Sequence, residues 1–340
     1  MMLYKTALVA DGEGLLTLTN WPQPAPGAGE MLIRVHVCGV CHTEIDEIEG
    51  RTPPPLFPII PGHQVVGRIV ALGRGVTGFN IGDRVGMAWI FSSCGHCEYC
   101  LRADENLCAG FQATGRDAHG GYAEYMTAPA AYAHPIPDAF TDAQAAPLLC
   151  AGAVGYRALR LAAIRDGQNL GFTGFGASAH LVLQVARRLY PNSRFYVFAR
   201  NASERAFART LGAAWAGDGA DACPEPLHAI IDTTPAWTPI VMALNNLAPG
   251  GRLIVNAIRK EDGDKAALLR LNYAEHLWRE KEIKSVANVS RSDVREFLQL
   301  AAMAGIRPEV EEYPLEDANR ALMDLKHKHI RGAKVLRISG

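Results

Sequence analysis

Hydrophobic and polar positions follow two different patterns along the chain, and the change falls near residue 150. In the first part, short alternating runs are separated by turns rich in Pro and Gly, at 31–37, 65–72 and 84–88. Alternation with a period of two is typical of half-buried β-strands. The first part is therefore predicted to be rich in β-structure.

After Cys150, apolar runs alternate with helical patterns. The runs cover 170–173, 195–199, 230–232 and 253–257, and the helical patterns cover 181–189, 205–211 and 240–247. This alternation predicts a parallel sheet covered by helices, an α/β arrangement. Near residue 288 the alternation ends, and two helical patterns and a strand follow, at 294–303, 317–326 and 334–338. We expect this tail to rejoin the first part.

Length and composition fit two domains with ordinary surfaces. The chain has 340 residues, 49% hydrophobic and 20% charged, with a formal net charge of −1. The balanced charge gives no field that attracts nucleic acid, and no apolar run of about 18 residues is available to cross a bilayer. The segment 1–9 lacks the pattern of a secretory signal. We expect a cytoplasmic protein without nucleic-acid or membrane partners.

A cysteine cluster is the first chemical motif. Cys94, Cys97, Cys100 and Cys108 follow one another on one short segment. Four thiolates complete the tetrahedral coordination of Zn²⁺ and leave no position for a substrate. The alternative is a pair of disulfides, which is uncommon in a chain of cytosolic character. The cluster predicts a structural zinc site.

A glycine-rich turn joins the run at 170–173 to the next helical pattern. It reads Gly174-Phe175-Gly176-Ala177-Ser178-Ala179, a G-x-G-x-x-A dinucleotide fingerprint. The first glycine permits the tight turn, the second lets the backbone approach a pyrophosphate, and the last small residue allows close helix packing. The alternative is a turn with only a structural role. The position between strand and helix favours a nucleotide site at the helix N-terminus.

The next strand ends at Ala199-Arg200-Asn201, where NAD-binding sites usually carry an acidic residue for the ribose 2′-hydroxyl. No carboxylate is present there. Arg200, helped by Asn201 and Arg205, is predicted to pair with a 2′-phosphate. The sequence therefore favours NADP(H) over NAD(H). The alternative is a solvated Arg200 with a lax cofactor preference.

A second set of metal donors is scattered along the chain. Cys41, His63 and Cys150 offer two thiolates and one imidazole. Together they are suited to one zinc ion with a fourth position open to substrate, the arrangement of catalytic zinc sites. Any one of them alone would more often be a core cysteine or a satisfied histidine. The cysteine cluster and the fingerprint in the same chain favour the metal.

With these motifs, the sequence resembles the zinc-dependent alcohol dehydrogenases of the medium-chain dehydrogenase/reductase superfamily over its whole length. Two further segments are similar to the family, at 119–125 and 247–252. The resemblance implies a GroES-like catalytic domain, residues 1–150 with 289–340. It also implies a doubly wound Rossmann domain for NADP, residues 151–288, and two Zn²⁺ ions per chain.

The resemblance also implies roles for further residues. Thr43 would take the proton of the alcohol, and Glu44 would orient the ligand His63. Trp89 resembles a wall of the alcohol pocket, with ordinary core packing as the alternative. His42 and Lys334 stand where the family contacts the pyrophosphate, although either is also compatible with a solvated surface residue.

Three positions depart from the family pattern. Gln64 replaces a glutamate thought to assist ligand exchange at zinc, and Val154 replaces a threonine beside the nicotinamide. Asp46 stands where relatives carry the last histidine of a proton relay. Either Asp46 takes the proton or the relay ends at solvent. These departures lie at positions that influence the choice of substrate and the pH profile.

Three function classes follow. The first is a zinc- and NADP(H)-dependent interconversion of an alcohol with an aldehyde or ketone. The second is an NADPH-dependent reduction of an activated C=C bond, and the third is a non-catalytic nucleotide- or zinc-binding relative. The resemblance implies a small-molecule substrate and a homodimer or homotetramer.

Overall fold

The chain folds into two compact units in a computed structural model that describes residues 3–10, 15–327 and 332–339. The first unit comprises the residues up to Ala153 together with those from Val289 onward, and the second comprises Val154–Asn288. The first is built mainly of β-strands, and the second has a six-stranded parallel sheet. The predicted fold class is confirmed.

The first unit begins with a long β-rich segment. Its elements are β1 (Leu3–Ala10), β2 (Leu16–Pro22), β3 (Glu30–Val40), α1 (His42–Ile48), β4 (Val65–Leu72), β5 (Arg84–Met87), β6 (Ile90–Ser92), α2 (Glu98–Leu101), β7 (Gln112–Ala113), β8 (Tyr125–Pro129), β9 (Ala133–Pro135) and α3 (Asp142–Pro147). The central strand β3 is buried along most of its length. It pairs antiparallel with β4 along most of its length and with β8 over Glu30–Arg34.

The second unit alternates strands and helices, as the sequence predicts. Its elements are α4 (Ala153–Ala162), which starts one residue before the unit, β10 (Leu170–Thr173), α5 (Ala177–Leu189), β11 (Phe195–Phe198), α6 (Ala202–Thr210), β12 (Trp215–Gly217), β13 (Leu227–Asp232), α7 (Thr238–Asn246), β14 (Leu247–Val255) and β15 (Glu282–Ser285). The strand order is β12-β11-β10-β13-β14-β15. Strands β10, β11 and β13 are almost wholly buried, which explains their continuous apolar runs.

The chain then returns to the first unit through α8 (Arg291–Met303), β16 (Val310–Pro314), α9 (Ala318–His327) and β17 (Ala333–Arg337). Strand β17 pairs antiparallel with β3, and Lys334 lies opposite Val40. The prediction that the tail rejoins the first part is confirmed. The first unit thus contains a seven-stranded sheet in the order β16-β17-β3-β4-β5-β9, in which β8 also pairs with β3.

Helix α8 packs closely on the π-helical turn Leu148–Gly152, which carries Cys150. A Cβ atom at Gly152 would lie 2.1 Å from Cε1 of Phe297. Such a distance is below any real carbon contact, so only glycine lets the buried Phe297 ring approach this turn. The packing fixes the backbone just beyond Cys150.

No helix within the described ranges combines the length and apolarity that a bilayer crossing needs.

Candidate active site and dinucleotide site

Three side chains from separate segments of the first unit converge on one point. Cys41 precedes α1, His63 lies in the loop before β4, and Cys150 lies in the π-helical turn. Their donor atoms all lie within 4.8 Å of one another, and Nε2 of His63 is 3.2 Å from Sγ of Cys150. Two sulfurs and an imidazole nitrogen are donors that zinc prefers. The donor set therefore fits the zinc ion that the sequence predicts.

Glu44 holds two of these three donors in place. Nδ1 of His63 donates to Oε1 of Glu44 at 2.6 Å, and the backbone N–H of Cys41 donates to Oε2 at 2.9 Å. Because Nδ1 carries the proton, Nε2 keeps its lone pair for a metal. Burial raises the pKa of Glu44. For His63, burial acts to lower the pKa, but the Glu44 carboxylate and the Cys41 thiol raise it well above its ordinary value.

Helix α1 carries the predicted proton path. Thr43 is buried, and its Oγ1 lies 3.6 Å from Sγ of Cys41. Asp46 lies three residues further on the same helical face. Its carboxylate is buried and accepts a hydrogen bond from Nε of Arg51 at 2.6 Å. Arg51 gave no signal in the sequence, because a charged residue after a helix is usually solvated.

Glu47, one turn after Thr43, is a second residue whose role the sequence did not indicate. Its side chain is buried, and within the described chain its Oε1 has no hydrogen-bond partner. Burial, followed by the nearby Glu44 carboxylate, raises the pKa of Glu47 to about 9. A protonated Glu47 adds no second negative charge beside Glu44. Its position in an otherwise polar stretch of helix gave no signal in the sequence.

Trp89 and Gln64 flank the donor set, whereas Val154 lies in the second unit. The Trp89 ring meets the His63 ring edge to face, with 5.0 Å between centroids. Gln64 is buried, and its side chain lies so close to Gly39 that a Cβ there would be 2.6 Å from Oε1. Val154 is half-buried near the start of α4.

The four cysteines of the second cluster also come together. Their sulfurs lie within 4.8 Å of one another, with 3.6 Å between Cys97 and Cys100 and 3.9 Å between Cys94 and Cys100. Four sulfurs about 2.3 Å from one zinc ion lie roughly 3.8 Å apart. All eight cysteines of the chain are free thiols, which argues against the disulfide alternative. The cluster, with Cys108, fits a structural zinc.

A buried carboxylate ties the loop that carries this cluster to α8. Glu105 Oε1 accepts from the backbone N–H of Arg291 at 3.0 Å and from Nε of Arg291 at 2.7 Å. The Arg291 guanidinium also stacks on the Tyr132 ring, and the Tyr132 hydroxyl lies 2.7 Å from Oγ of Ser93. That oxygen is 3.3 Å from Sγ of Cys100. The sequence did not reveal this network, because Glu105 and Arg291 are 186 residues apart.

The glycine-rich turn has the geometry that a dinucleotide needs. Gly174 adopts φ +79°, where side chains are strained, and Gly176 has no neighbouring atom within 4 Å of an added Cβ. Gly176 and Ala177 are exposed at the start of α5, whereas Ala179 is buried against the sheet. Oγ of Ser178 accepts a hydrogen bond from the Asn256 amide. The exposed N–H groups at this helix end suit a pyrophosphate.

Arg200, Asn201 and Arg205, which follow β11, differ in their contacts. Arg205 donates to the carbonyl oxygens of Ala199 and Arg200 at 2.7 and 2.8 Å, so it shapes the loop. The Asn201 side chain caps α6 by accepting from the N–H of Ser203. Arg200 is exposed, and among the described residues its guanidinium has no hydrogen-bond or ion-pair partner. Arg200 is therefore the group in this loop with donors available.

His42 and Lys334 differ in accessibility. His42 is exposed at the start of α1. The Lys334 side chain is buried, and its ammonium group contacts the Glu311 carboxylate and the Tyr313 hydroxyl. It also lies 4.6 Å from the centroid of the Tyr313 ring. These partners compete with any pyrophosphate for the Lys334 ammonium.

Comparisons with known proteins agree on one family. The alcohol dehydrogenase GroES-like domain family matches residues 27–138. A protein described as probable alcohol dehydrogenase AdhA, from Mycobacterium tuberculosis, is 44% identical over 325 residues, 94% of this chain and 91% of that protein. An alcohol dehydrogenase of Geobacillus stearothermophilus is 33% identical over 345 residues, 98% of this chain and 99% of the other.

A solved structure resembles the whole chain. The cobalt- and zinc-bound thermostable alcohol dehydrogenase of Pyrobaculum aerophilum has a TM-score of 0.86 and 25% sequence identity. The match covers 98% of this chain and 99% of that one.

Proposed function

Because this chain belongs to the zinc-type alcohol dehydrogenases of the medium-chain dehydrogenase/reductase superfamily, we propose that it interconverts an alcohol and an aldehyde or ketone with NADP(H) at a zinc ion. It is an NAD(P)-dependent alcohol dehydrogenase; the metal dependence, the cofactor preference and the residue roles are the proposal. The observation that carries it is the convergence of Cys41, His63 and Cys150, with a Glu44 carboxylate oxygen 2.6 Å from Nδ1 of His63.

Several side chains of the first unit have proposed roles in the reaction, beside those of zinc and the nicotinamide. When bound, zinc contributes Lewis-acid polarisation of the substrate oxygen, and the nicotinamide contributes the hydride chemistry. Thr43, buried beside Cys41, is the proposed acceptor of the alcohol proton. Trp89, whose ring meets the His63 ring edge to face, is the proposed apolar wall of the alcohol pocket. Gln64 leaves the site without the extra negative charge that a glutamate would bring.

Metal removal tests this proposal. We expect about two zinc ions per chain, with loss of carbonyl reduction on chelation and recovery on adding Zn²⁺. Cys150→Ser should remove one zinc and the activity, whereas the matched control Cys223→Ser, outside both clusters, should retain both. Enone reduction that survives chelation would support the C=C reductase instead. Absence of turnover across alcohols, aldehydes, ketones and enones would support the non-catalytic relative.

The proposed preference for NADP(H) rests on Arg200. Its exposed guanidinium follows β11, and no acidic residue occupies 199–201. Arg200→Ala should lower kcat/KM for NADPH by at least about tenfold and leave that for NADH nearly unchanged. Arg188→Ala, on the exposed face of α5, is the matched control. A wild-type enzyme with higher kcat/KM for NADH would overturn the assignment.

The second unit also supports a proposed homo-oligomer. Strand β15 forms an edge of the sheet, and all four of its residues are exposed. Large apolar side chains are exposed in the same part of the chain, namely Leu269, Tyr273, Trp278 and Ile283. Exposed edges and apolar patches favour association. Antiparallel pairing of two copies about Ile283 would place Glu282 opposite Lys284 of the other copy, so the edge is complementary to itself.

A further inference from the structure

The strand order of the second unit defines where a ligand should bind. The order reverses between β10 and β13, and open parallel sheets bind ligands outside the carboxyl ends of the strands at such a point. The glycine-rich turn follows β10, and residues 233–236 follow β13. The two loops touch, since a Cβ atom at Gly174 would lie 2.8 Å from Oγ1 of Thr233. The loop after β13 therefore forms one side of the dinucleotide turn.

A buried ion pair lies beneath these two loops. Asp232 is fully buried, and its Oδ1 accepts from the hydroxyls of Thr173 at 2.6 Å and Thr234 at 2.8 Å. Its Oδ2 pairs with the ammonium group of Lys260. The same ammonium donates to the carbonyl oxygens of Thr234 at 2.8 Å and Ala236 at 3.0 Å. Lys260 thus joins the strand end to the loop that follows it.

The hydrogen-bonding capacity of Lys260 is filled by the protein. An ammonium group has three protons, and three oxygen acceptors of this chain surround it. Both oxygens of Asp232 are also occupied. Lys260 therefore has no proton left for a cofactor phosphate, and the Asp232 carboxylate, which only accepts hydrogen bonds, has none to donate. Their effect on the cofactor must therefore pass through the loop that they hold.

Two further hydrogen bonds connect Asp232 with helix α5, which follows the glycine-rich turn. The N–H of Asn256 donates to the backbone oxygen of Asp232 at 2.7 Å, and its amide donates to Oγ of Ser178 at 3.2 Å. Ser178 lies in the first turn of α5. We propose that Lys260 and Asp232 are positioning residues for the dinucleotide site, which hold residues 233–236 against the Gly174 turn. The inference rests on the proposed binding of a nicotinamide cofactor.

Cofactor binding without turnover tests this proposal. The fluorescence of NADH and NADPH would be titrated with the wild-type protein, Lys260→Met and the double variant Asp232→Asn/Lys260→Met. The double variant removes both charges, so it leaves no unpaired buried ion that would prevent folding. Lys265→Met is the matched control, because Lys265 is exposed and pairs with Asp262 on the surface. Thermal unfolding and zinc content are measured in parallel.

We expect both Lys260 variants to raise the Kd of NADH and NADPH alike by at least about tenfold, with zinc content unchanged. The ratio of the two Kd values should stay at its wild-type value, unlike that of Arg200→Ala. Unchanged Kd values in a folded variant would overturn the positioning role. A loss confined to NADPH would also overturn it, since it would indicate direct contact with the 2′-phosphate. A wild-type protein that binds neither cofactor would instead refute the proposed function.

Discussion

At the scale of single residues, the Glu44 carboxylate contacts two of the three donor residues of the candidate zinc site. One oxygen receives the Nδ1 proton of His63, and the other receives the backbone N–H of Cys41. The geometry of two ligands therefore depends on one buried side chain. Such partners of metal ligands typically contribute 10–100-fold to metal affinity or activity.

Glu44→Gln should weaken zinc binding at this site by about 10–100-fold, because an amide is a poorer partner for the His63 proton. Competition with a chelator measures the affinity, and the cysteine cluster provides an internal reference with an unchanged affinity. Glu316→Gln, at an exposed position of the same unit, should behave as wild type. Equal affinities in Glu44→Gln and wild type would contradict the assigned role.

Asp46 stands at the predicted end of the proposed proton path, where either its carboxylate or the solvent takes the proton. In alcohol oxidation the last acceptor must be deprotonated, so the rate falls as the pH drops below the pKa of that group. If Asp46 accepts the proton, the acid limb of kcat/KM should disappear in Asp46→Asn.

The exposed carboxylate of Asp262 offers a control, and Asp262→Asn should retain the acid limb. A profile that is identical in Asp46→Asn and wild type would remove Asp46 from the path. The proton would then pass from Thr43 directly to solvent.

At the scale of elements, helix α8 connects the two proposed metal sites of the first unit. Its N-terminus is held by Ser290 and Asp293 in a capping box and by Glu105 from the cysteine loop. Its buried face places Phe297 against Gly152, two residues after Cys150. The cysteine loop and the Cys150 turn therefore both pack against the same helix.

Glu105→Gln should lower the free energy of unfolding by about 1–3 kcal/mol at pH 7, since the hydrogen bonds from Arg291 lose their charged acceptor. Burial acts to raise the pKa of Glu105, but the hydrogen bonds from Arg291 lower it overall. A glutamate whose pKa is lowered on folding stabilises the folded state above its unfolded pKa of about 4.3. This stabilisation is lost as the pH falls through the lowered pKa of the folded state. The difference in the free energy of unfolding between Glu105→Gln and the wild type should therefore become smaller at acid pH.

Urea denaturation at several pH values between 7 and 3 would measure this difference. Glu98→Gln is the matched control, because Glu98 lies on the same loop with an exposed side chain. A destabilisation by Glu105→Gln that stays constant with pH would show that the charge of Glu105 is not the cause.

At the scale of the whole molecule, the sequence predicts what local patterns encode. Strands such as β10 and β11 were predictable because buried apolar runs end at glycine-rich or polar turns. The donors Cys41, His63 and Cys150 were found because few residue types bind zinc. Contacts between residues that lie far apart in the sequence leave no such local pattern. Lys260 and Asp232 lie 28 residues apart, and each looks like an ordinary surface charge until the fold buries both.

The edge strand β15 supports a last prediction, about assembly. In antiparallel pairing about a two-fold axis at Ile283, each Glu282 faces Lys284 of the other copy. Opposite charges directly across a strand pair stabilise it, and like charges destabilise it. Lys284→Glu should therefore weaken the association of the chains, whereas the exchange Glu282→Lys/Lys284→Glu restores opposite charges and should recover part of it. The recovery is partial because Glu282 also pairs with Arg252 in its own chain.

Sedimentation velocity over a range of protein concentrations would measure these effects as shifts in the dissociation constant. Lys265→Glu makes the same change of charge at an exposed site in the segment between β14 and β15, so its assembly should match that of the wild type. Recovery in the exchanged variant matters most, because a general loss of solubility or stability would not be reversed by a second charge change. If Lys284→Glu and the exchanged variant have the same dissociation constant, the contact between copies does not run along β15. The exposure of Trp278 and Tyr273 would then not be explained by assembly through this edge.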